Sequence, residues 1–218
     1  MAATNRVYIW ELPVRITHWV NAVSITALSV SGLYIGMPFI YAISDDLLPM
    51  ATMRFIHFVA AYAFTASVLF RIYWWFTGNQ YSRLNQFIPT TLDRMQNVVQ
   101  TGLFYGFLDD ELPHSPGHTG LAGIAYFFLF MIFLFEVASG FAMLHLAHGG
   151  GFVFILMGGW MLDLLSAGTL RMLHHVFMWV IWAFVIFHVY IGWHNDVVER
   201  NGLVSSIFSG YKFFGSGH

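Results

Sequence analysis

The sequence contains no cysteine and few charged residues. Charged side chains make up 9% of its 218 residues, where about 25% is usual in a soluble domain. Without cysteine, disulfides, thiolate-held iron–sulfur clusters and cysteine nucleophiles are excluded. The scarcity of charge beside a hydrophobic content of 58% excludes a soluble enzyme, a nucleic-acid-binding protein and a disordered linker.

Long stretches without a charged side chain follow one another along the chain. A helix that crosses a bilayer needs about 20 mostly apolar residues. We therefore predict an all-α membrane protein whose single domain, residues 1–218, is a bundle of four transmembrane helices. The predicted spans are residues 16–38, 55–76, 120–144 and 172–194. A second prediction is an amphipathic interfacial helix at 92–108.

The distribution of basic residues predicts the orientation. Seven basic residues lie on the side of the N-terminus (Arg6, Arg15, Arg71, Arg83, Arg94, Arg200 and Lys212) and two on the other side (Arg54 and Arg171). Basic loops stay in the cytoplasm, so both termini are expected there. Arg71 interrupts the second span, and we expect it to extend its side chain towards the membrane surface.

The chain has 11 histidines, more than its 9 lysines and arginines together. A histidine inside a membrane is a functional hypothesis by default. His174 and His188 are fourteen residues apart, which places them about 21 Å apart along a helix and within about 40° of the same face. His175 fits that face less well and remains an alternative to His174.

Combined with the orientation, these depths sort four histidines into two pairs. His18 and His188 lie near the cytoplasmic side, whereas His57 and His174 lie near the outer side. Zinc favours a tetrahedron that usually includes Cys or carboxylate, whereas a haem takes one axial imidazole from each of two helices. The sequence therefore predicts two b-type haems, the outer held by His57 and His174 and the inner by His18 and His188.

Arginines and glycines accompany these histidines. Arg15, Arg54 and Arg171 each precede a proposed ligand by three residues, a spacing that shares a helix face, so they are predicted to contact haem propionates; anchoring at helix ends is the alternative. Gly32 and Gly140 would let a flat ring approach, or simply let helices pack. Glu136, alone in mid-span, would relay protons or be hydrogen-bonded in the core.

Three segments resemble the b-type cytochrome subunit of membrane-bound nickel–iron hydrogenases. They are the block Val7–Trp19, the run Gly117–His118–Thr119, and His174 with His188–Val189–Tyr190. The resemblance covers nearly the whole chain and places the family's haem ligands on His18, His57, His174 and His188. This sequence departs from the family in doubling one ligand histidine, as His174–His175, and in having Thr119 at the end of the second motif.

The resemblance implies a function in the bacterial cytoplasmic membrane. The hydrogenase small and large subunits would dock on the outer face, over the apolar, glycine-rich loop 145–171, and electrons would pass through two b haems to membrane quinone. The chain would be an electron-transfer subunit without catalytic residues for hydrogen. The candidate quinone contacts are Thr17, Tyr105, His114, His118, His194 and Asn195. The alternatives are the cytochrome subunit of a formate dehydrogenase and a haem-containing anchor with a mainly structural role.

Overall fold

Four long helices dominate the structure, a computed structural model that describes residues 4–39, 49–113, 115–149 and 151–215. The long helices are α1 (Leu12–Gly36), α2 (Pro49–Thr77), α4 (Gly120–His148) and α7 (Ala167–Glu199). The shorter elements are strand β1 (Thr4–Tyr8), helix α3 (Leu92–Tyr105), helix α5 (Phe152–Phe154), a π-helical turn (Ile155–Gly159), helices α6 (Met161–Leu164) and α8 (Leu203–Ser209), and strand β2 (Tyr211–Gly215).

The four predicted spans are confirmed as helices, and all four are long and apolar enough to cross a membrane. All four extend beyond the predicted limits at one or both ends, and α7 is the longest at 33 residues. Only 6–33% of the most apolar window of each helix is buried inside the protein. The remaining apolar surface needs a non-aqueous environment, so the chain is a multi-pass membrane protein.

The two ends of the chain pair as a small sheet that the sequence analysis did not predict. Strands β1 and β2 are antiparallel, with Thr4 opposite Gly215 and Tyr8 opposite Tyr211. The guanidinium of Arg6 lies 3.6 Å from the centre of the Tyr211 ring, a cation–π contact. The sheet joins the sequence-distant termini of a mostly helical chain.

Contacts divide the chain into two units. The first comprises Met1–Arg15, Arg71–Ile132 and Ile181–His218, and the second comprises Ile16–Phe70 and Phe133–Val180. The core of the first unit is Ile9, Trp10 and Val14. Trp10 also donates its indole N–H to the hydroxyl of Ser206 (3.0 Å), which ties the start of the chain to helix α8.

Polar side chains fix the N-terminal block within the first unit. The Glu11 carboxylate accepts from the Trp74 indole (2.9 Å) and from the Asn79 backbone N–H (2.7 Å). Arg71 was expected to extend towards the membrane surface, and this stays a prediction. Its side chain is buried, donates to the Ser82 carbonyl (3.2 Å) and lies over the ring of Phe87, because the protein itself supplies the acceptor.

The amphipathic helix predicted at 92–108 is present as α3 and is three residues shorter. The Thr91 hydroxyl accepts from the Arg94 N–H at its start, as an N-cap does. The chain leaves the helix at Gly106, and Phe107 adopts a left-handed conformation (φ 58°) with its ring 95% exposed.

The second unit packs the 145–171 loop onto α4. Its core is Ala142, Met161 and Leu170. Gly158 lies so close to the Ala138 carbonyl that a Cβ at position 158 would be 1.9 Å from that oxygen, so only glycine fits. The outer surface of the loop remains apolar, with Phe152, Leu156 and Leu164 each more than 60% exposed.

Candidate functional site

His57 is held in one tautomer by a hydroxyl of the neighbouring helix. Its Nδ1 lies 3.0 Å from the Ser31 Oγ on α1. The Ser31 hydroxyl donates its own hydrogen to the Ala27 carbonyl (2.6 Å), so its oxygen accepts from the Nδ1–H of His57. The nitrogen with the lone pair is therefore Nε2, which is the state in which imidazole binds a metal.

His174 on α7 has the same orientation with stronger partners. Its Nδ1 lies 2.8 Å from the Ser139 Oγ and 2.8 Å from the Glu136 Oε2, both on α4. The Ser139 hydroxyl is positioned to donate to the Glu136 carbonyl (3.2 Å). Both partners of Nδ1 then act as acceptors, which again leaves the lone pair on Nε2. A second shell of this kind is typical of metal-bound histidines.

His175 is held differently from its neighbour. Its Nδ1 donates to the Arg171 carbonyl one turn earlier in the same helix (2.7 Å). Its Nε2 lies against α1, 2.9 Å from where a Cβ at Gly36 would be. Among the described contacts of His175, no residue of another helix bonds to its Nδ1. The geometry therefore favours His174 as the ligand.

His57 and His174, the proposed ligands of the outer haem, each have a Ser–Gly pair beside them. Gly32 follows Ser31, and a Cβ there would be 3.3 Å from the Cε1 of His57. Gly140 follows Ser139, and a Cβ there would be 3.8 Å from the Cε1 of His174. In both pairs the serine fixes the imidazole and the glycine leaves room beside it.

These residues of the second unit fit a haem. His57 and His174 lie on different helices, α2 and α7, of the same unit. Both present Nε2, and glycines lie beside both rings. Axial imidazoles from two helices, with room for a flat ring, are the requirements of a bis-histidine haem site.

In the first unit, His188 is also oriented by a neighbouring helix. Its Nδ1 lies 3.0 Å from the Tyr126 hydroxyl on α4. The ring of Phe184 stacks on its imidazole at 5.9 Å and 9°. When the Tyr126 oxygen accepts from Nδ1–H, the lone pair lies on Nε2, the state in which imidazole binds a metal.

His18 is a half-buried residue of α1 in the second unit, with its ring edge-on to Trp19 at 5.1 Å. Because His18 and His188 belong to different units, their pairing at one haem rests on sequence spacing and stays a prediction.

The three arginines proposed for propionates are placed differently. Arg54 and Arg171 are exposed side chains of the second unit. Arg15, in the first unit, donates Nη1 to the Phe208 carbonyl. Its Nε is buried without a partner among the described residues, so it retains a donor for a carboxylate. Their contact with propionates stays a prediction.

Three of the candidate quinone residues meet in the first unit. The Tyr105 hydroxyl exchanges hydrogen bonds with the Asn195 side chain (2.8 and 3.1 Å), and the His194 Nδ1 lies 3.3 Å from the Asn195 Oδ1. The other candidates do not join this cluster. Thr17 is buried in the second unit, and His114 lies outside the described residues.

His118, the remaining quinone candidate, is enclosed by aromatic rings. Trp10, Phe87 and Tyr126 surround it at centroid distances of 4.7–5.4 Å, and its Nδ1 is buried without a partner in the described part of the chain. Burial lowers its pKa well below the ordinary value, and the charges of Arg71, Lys212 and Arg94 act in the same direction.

A polar cleft of about 650 Å³ adjoins His118 in the first unit. Its lining includes Asp93, Asn97, Gln100 and Ser115. Sites for cofactors and lipophilic ligands are mostly apolar, so this cleft suits neither a haem nor a quinone tail.

The sequence analysis missed the residues that orient the histidines. Ser31, Ser139 and Tyr126 were not singled out, and hydrogen bonding of Glu136, one of its two expected roles, is what the structure shows. A Ser–Gly dipeptide inside each of two apolar spans is the signal that could have revealed the serines.

Fold and site together are those of a multi-pass membrane protein whose half-buried histidines could hold haem, as in a b-type cytochrome. The profile of the family described as "Prokaryotic cytochrome b561" matches residues 9–210, and the chain belongs to this family. Membership implies b-type haem as the cofactor and electron transfer as the activity.

The chain aligns with its relatives over most of the length of both chains. The chain is 39% identical to the "Probable Ni/Fe-hydrogenase B-type cytochrome subunit" of Cupriavidus necator over 213 residues, 95% of this chain and 87% of that protein. It is 35% identical to the protein of that name from Rhodobacter capsulatus, covering 95% and 82% of the two chains. It is 33% identical to the "Probable Ni/Fe-hydrogenase 1 B-type cytochrome subunit" of Escherichia coli K12, covering 94% and 90%.

Proposed function

We propose that this chain is the dihaem b-type cytochrome subunit of a membrane-bound nickel–iron hydrogenase. It carries electrons from the periplasmic iron–sulfur subunit to quinone in the bacterial cytoplasmic membrane, with both termini in the cytoplasm. Its relatives are named as cytochrome subunits of such hydrogenases. The observation that carries the proposal is the His57–His174 arrangement, with both Nδ1 atoms bonded to neighbouring helices.

The residues of the chain divide the work at two haems. His57 and His174 hold the outer haem, and His18 and His188 hold the inner haem. Bound haem supplies reversible one-electron oxidation and reduction. Ser31, Ser139 and Glu136 keep the outer imidazoles in the binding tautomer, Tyr126 does so for His188, and the apolar spans exclude water.

The apolar outer surface of the 145–171 loop is the docking site for the iron–sulfur subunit. Phe152, Leu156 and Leu164 are exposed, one on each of three successive short helical turns. Apolar patches rimmed by polar residues mark protein or membrane contacts. The loop belongs to the same unit as His57 and His174, so a partner docked on it comes close to the outer haem.

The cluster of Tyr105, His194 and Asn195 is the quinone head-group site. Reduction of one quinone takes two electrons and two protons. The amide of Asn195 keeps one hydrogen for a quinone oxygen after it donates to Tyr105, and the His194 imidazole lies beside it. All three belong to the first unit, as does His188.

Membranes that contain the chain together with its hydrogenase test this function. With hydrogen supplied, we expect haem reduction followed by quinone reduction. The variant Phe152→Ser should lose both while hydrogen oxidation with a soluble artificial acceptor continues, and Phe107→Ser, which alters an exposed ring elsewhere, should lose neither. Failure of hydrogen to reduce the haems in the unaltered complex would contradict the proposal.

A quinone-site variant tests the second half of the proposed function, the transfer of electrons to quinone. Asn195→Ala should leave haem reduction by hydrogen intact and slow quinone reduction at least tenfold. Normal quinone reduction in this variant would show that quinone binds at another site.

A further inference from the structure

The two serines beside His57 and His174 match each other, but in the described part of the chain no carboxylate corresponding to Glu136 contacts His57. At His57 the Nδ1 contact is the neutral hydroxyl of Ser31. At His174 the Ser139 hydroxyl is joined by the carboxylate of Glu136, at the same distance of 2.8 Å. His57 and His174, the two proposed ligands of one haem, therefore differ in that a carboxylate is bonded to the Nδ1 of His174.

The carboxylate lies in an environment that strengthens its effect. The side chain of Glu136 is 12% exposed and that of His174 is 19% exposed. In a low-dielectric environment, a hydrogen bond from N–H to a carboxylate is shorter and stronger than one to a neutral oxygen. Such a bond draws the Nδ1 proton away from the ring and makes Nε2 a stronger electron donor, as in carboxylate–histidine–metal triads.

We propose that Glu136 is a positioning residue that fixes His174 as the ligating tautomer and lowers the reduction potential of the haem held there. A stronger donor ligand and a nearby negative charge both favour the ferric over the ferrous state. The inference rests on the proposed function, because it assigns His174 as a haem ligand.

The ligand at the other end of α7 supports a difference between the two haems. His188 has the phenol of Tyr126 at its Nδ1, at 3.0 Å. A phenol is a weaker acceptor than a carboxylate. The carboxylate contact of His174 lowers the potential of the outer haem. A lower potential at the outer haem favours electron flow from it to the inner haem.

Redox titration of the purified protein, followed at the haem absorption band, tests the inference with Glu136→Gln. We expect both haems to be retained, one midpoint potential to rise and the other to stay in place. Asp163→Asn is the matched control, because it removes an exposed carboxylate from the same unit and should move neither potential. Electron paramagnetic resonance should show weaker axial donation at one ferric haem in Glu136→Gln alone. Two unchanged potentials with full haem content would overturn the inference.

A second variant keeps the inference testable if Glu136→Gln does not bind haem. Ser139→Ala removes the neutral acceptor and leaves the Nδ1–H of His174 to the carboxylate. The same midpoint potential should then fall, and a rise or no change would contradict the role of Glu136. The haem content of His174→Ala distinguishes failure of the ligand assignment from failure of the role of Glu136. If that variant kept every haem, the ligand assignment itself would be wrong.

Discussion

The hydroxyl of Ser31 on α1 lies 3.0 Å from Nδ1 of His57 on α2 and accepts from that nitrogen, which leaves the lone pair on Nε2. The same relationship recurs between Ser139 on α4 and His174 on α7, at 2.8 Å. In both cases a glycine follows the serine and leaves space beside the imidazole. The orientation of the two histidines is therefore built by the neighbouring helices.

Ser31→Ala tests this relationship. Removing the hydroxyl takes away an acceptor that orients the His57 ring, and loss of such partners typically weakens metal binding about 10–100-fold. We expect faster loss of one haem to a competing apo-protein. Thr26→Val is the control, because that hydroxyl bonds the Ala22 carbonyl of its own helix. Equal haem loss from both variants would argue against a specific role of Ser31.

Gly32→Val tests whether space beside His57 is required. A Cβ at position 32 would already be 3.3 Å from the imidazole, and the two further methyl groups of valine must displace the ring or fill the space beside it. We expect the purified variant to contain about one haem fewer than the unaltered protein. Gly192→Val serves as the control, because a Cβ there meets no atom within 4 Å. Full haem content in Gly32→Val would show that His57 does not need this space.

Tyr126→Phe probes the other unit. The variant keeps the ring but removes the hydroxyl that lies 3.0 Å from His188. A net hydrogen bond contributes about 0.5–1.5 kcal/mol, and an unsatisfied buried donor costs about 1–3 kcal/mol. The expected result is a shift in the spectrum and potential of the haem that Ser31→Ala leaves unaffected. A shift in the haem affected by Ser31→Ala would contradict the separate assignment of His57 and His188.

The buried imidazole of His118 predicts how stability depends on pH. Burial and the nearby cations lower its pKa in the folded protein, while the unfolded chain titrates near about 6.5. Below that pH the unfolded state binds more protons, so this residue's contribution to the free energy of unfolding is complete above about pH 6.5 and declines as the pH falls towards the lowered pKa.

Thermal unfolding in detergent between about pH 7.5 and 5.5 checks this prediction. The unfolding temperature should fall with pH, and it should fall less steeply in His118→Gln, which cannot take up a proton. An identical slope in the variant and the unaltered protein would exclude His118 as a source of the pH dependence.

The spans and the histidine spacing were predictable because both are properties of local sequence. Charge-free stretches identify the helices, and fourteen residues between His174 and His188 set their separation along one continuous helix. Helix ends were less predictable: α2 begins at Pro49, six residues before the predicted start, because proline fits the first turn of a helix.

The remainder depends on contacts between residues that are distant in the chain. Trp10 and Ser206 are 196 positions apart, so neither that bond nor the terminal sheet has a local signal. The acceptor of Arg71, the Ser82 carbonyl, comes within reach only in the folded structure, so the sequence alone does not reveal this contact. The contact of Glu136 with His174 likewise depends on how α4 packs beside α7.

The haem content of single histidine variants tests the central claim most directly. In a pyridine haemochrome assay of the purified proteins, the unaltered chain should contain two b haems. His18→Ala, His57→Ala, His174→Ala and His188→Ala should each lose one, whereas His175→Ala should keep both. If His57→Ala and His188→Ala each retained two haems, or if His175→Ala lost one while His174→Ala lost none, the ligand assignment would be wrong.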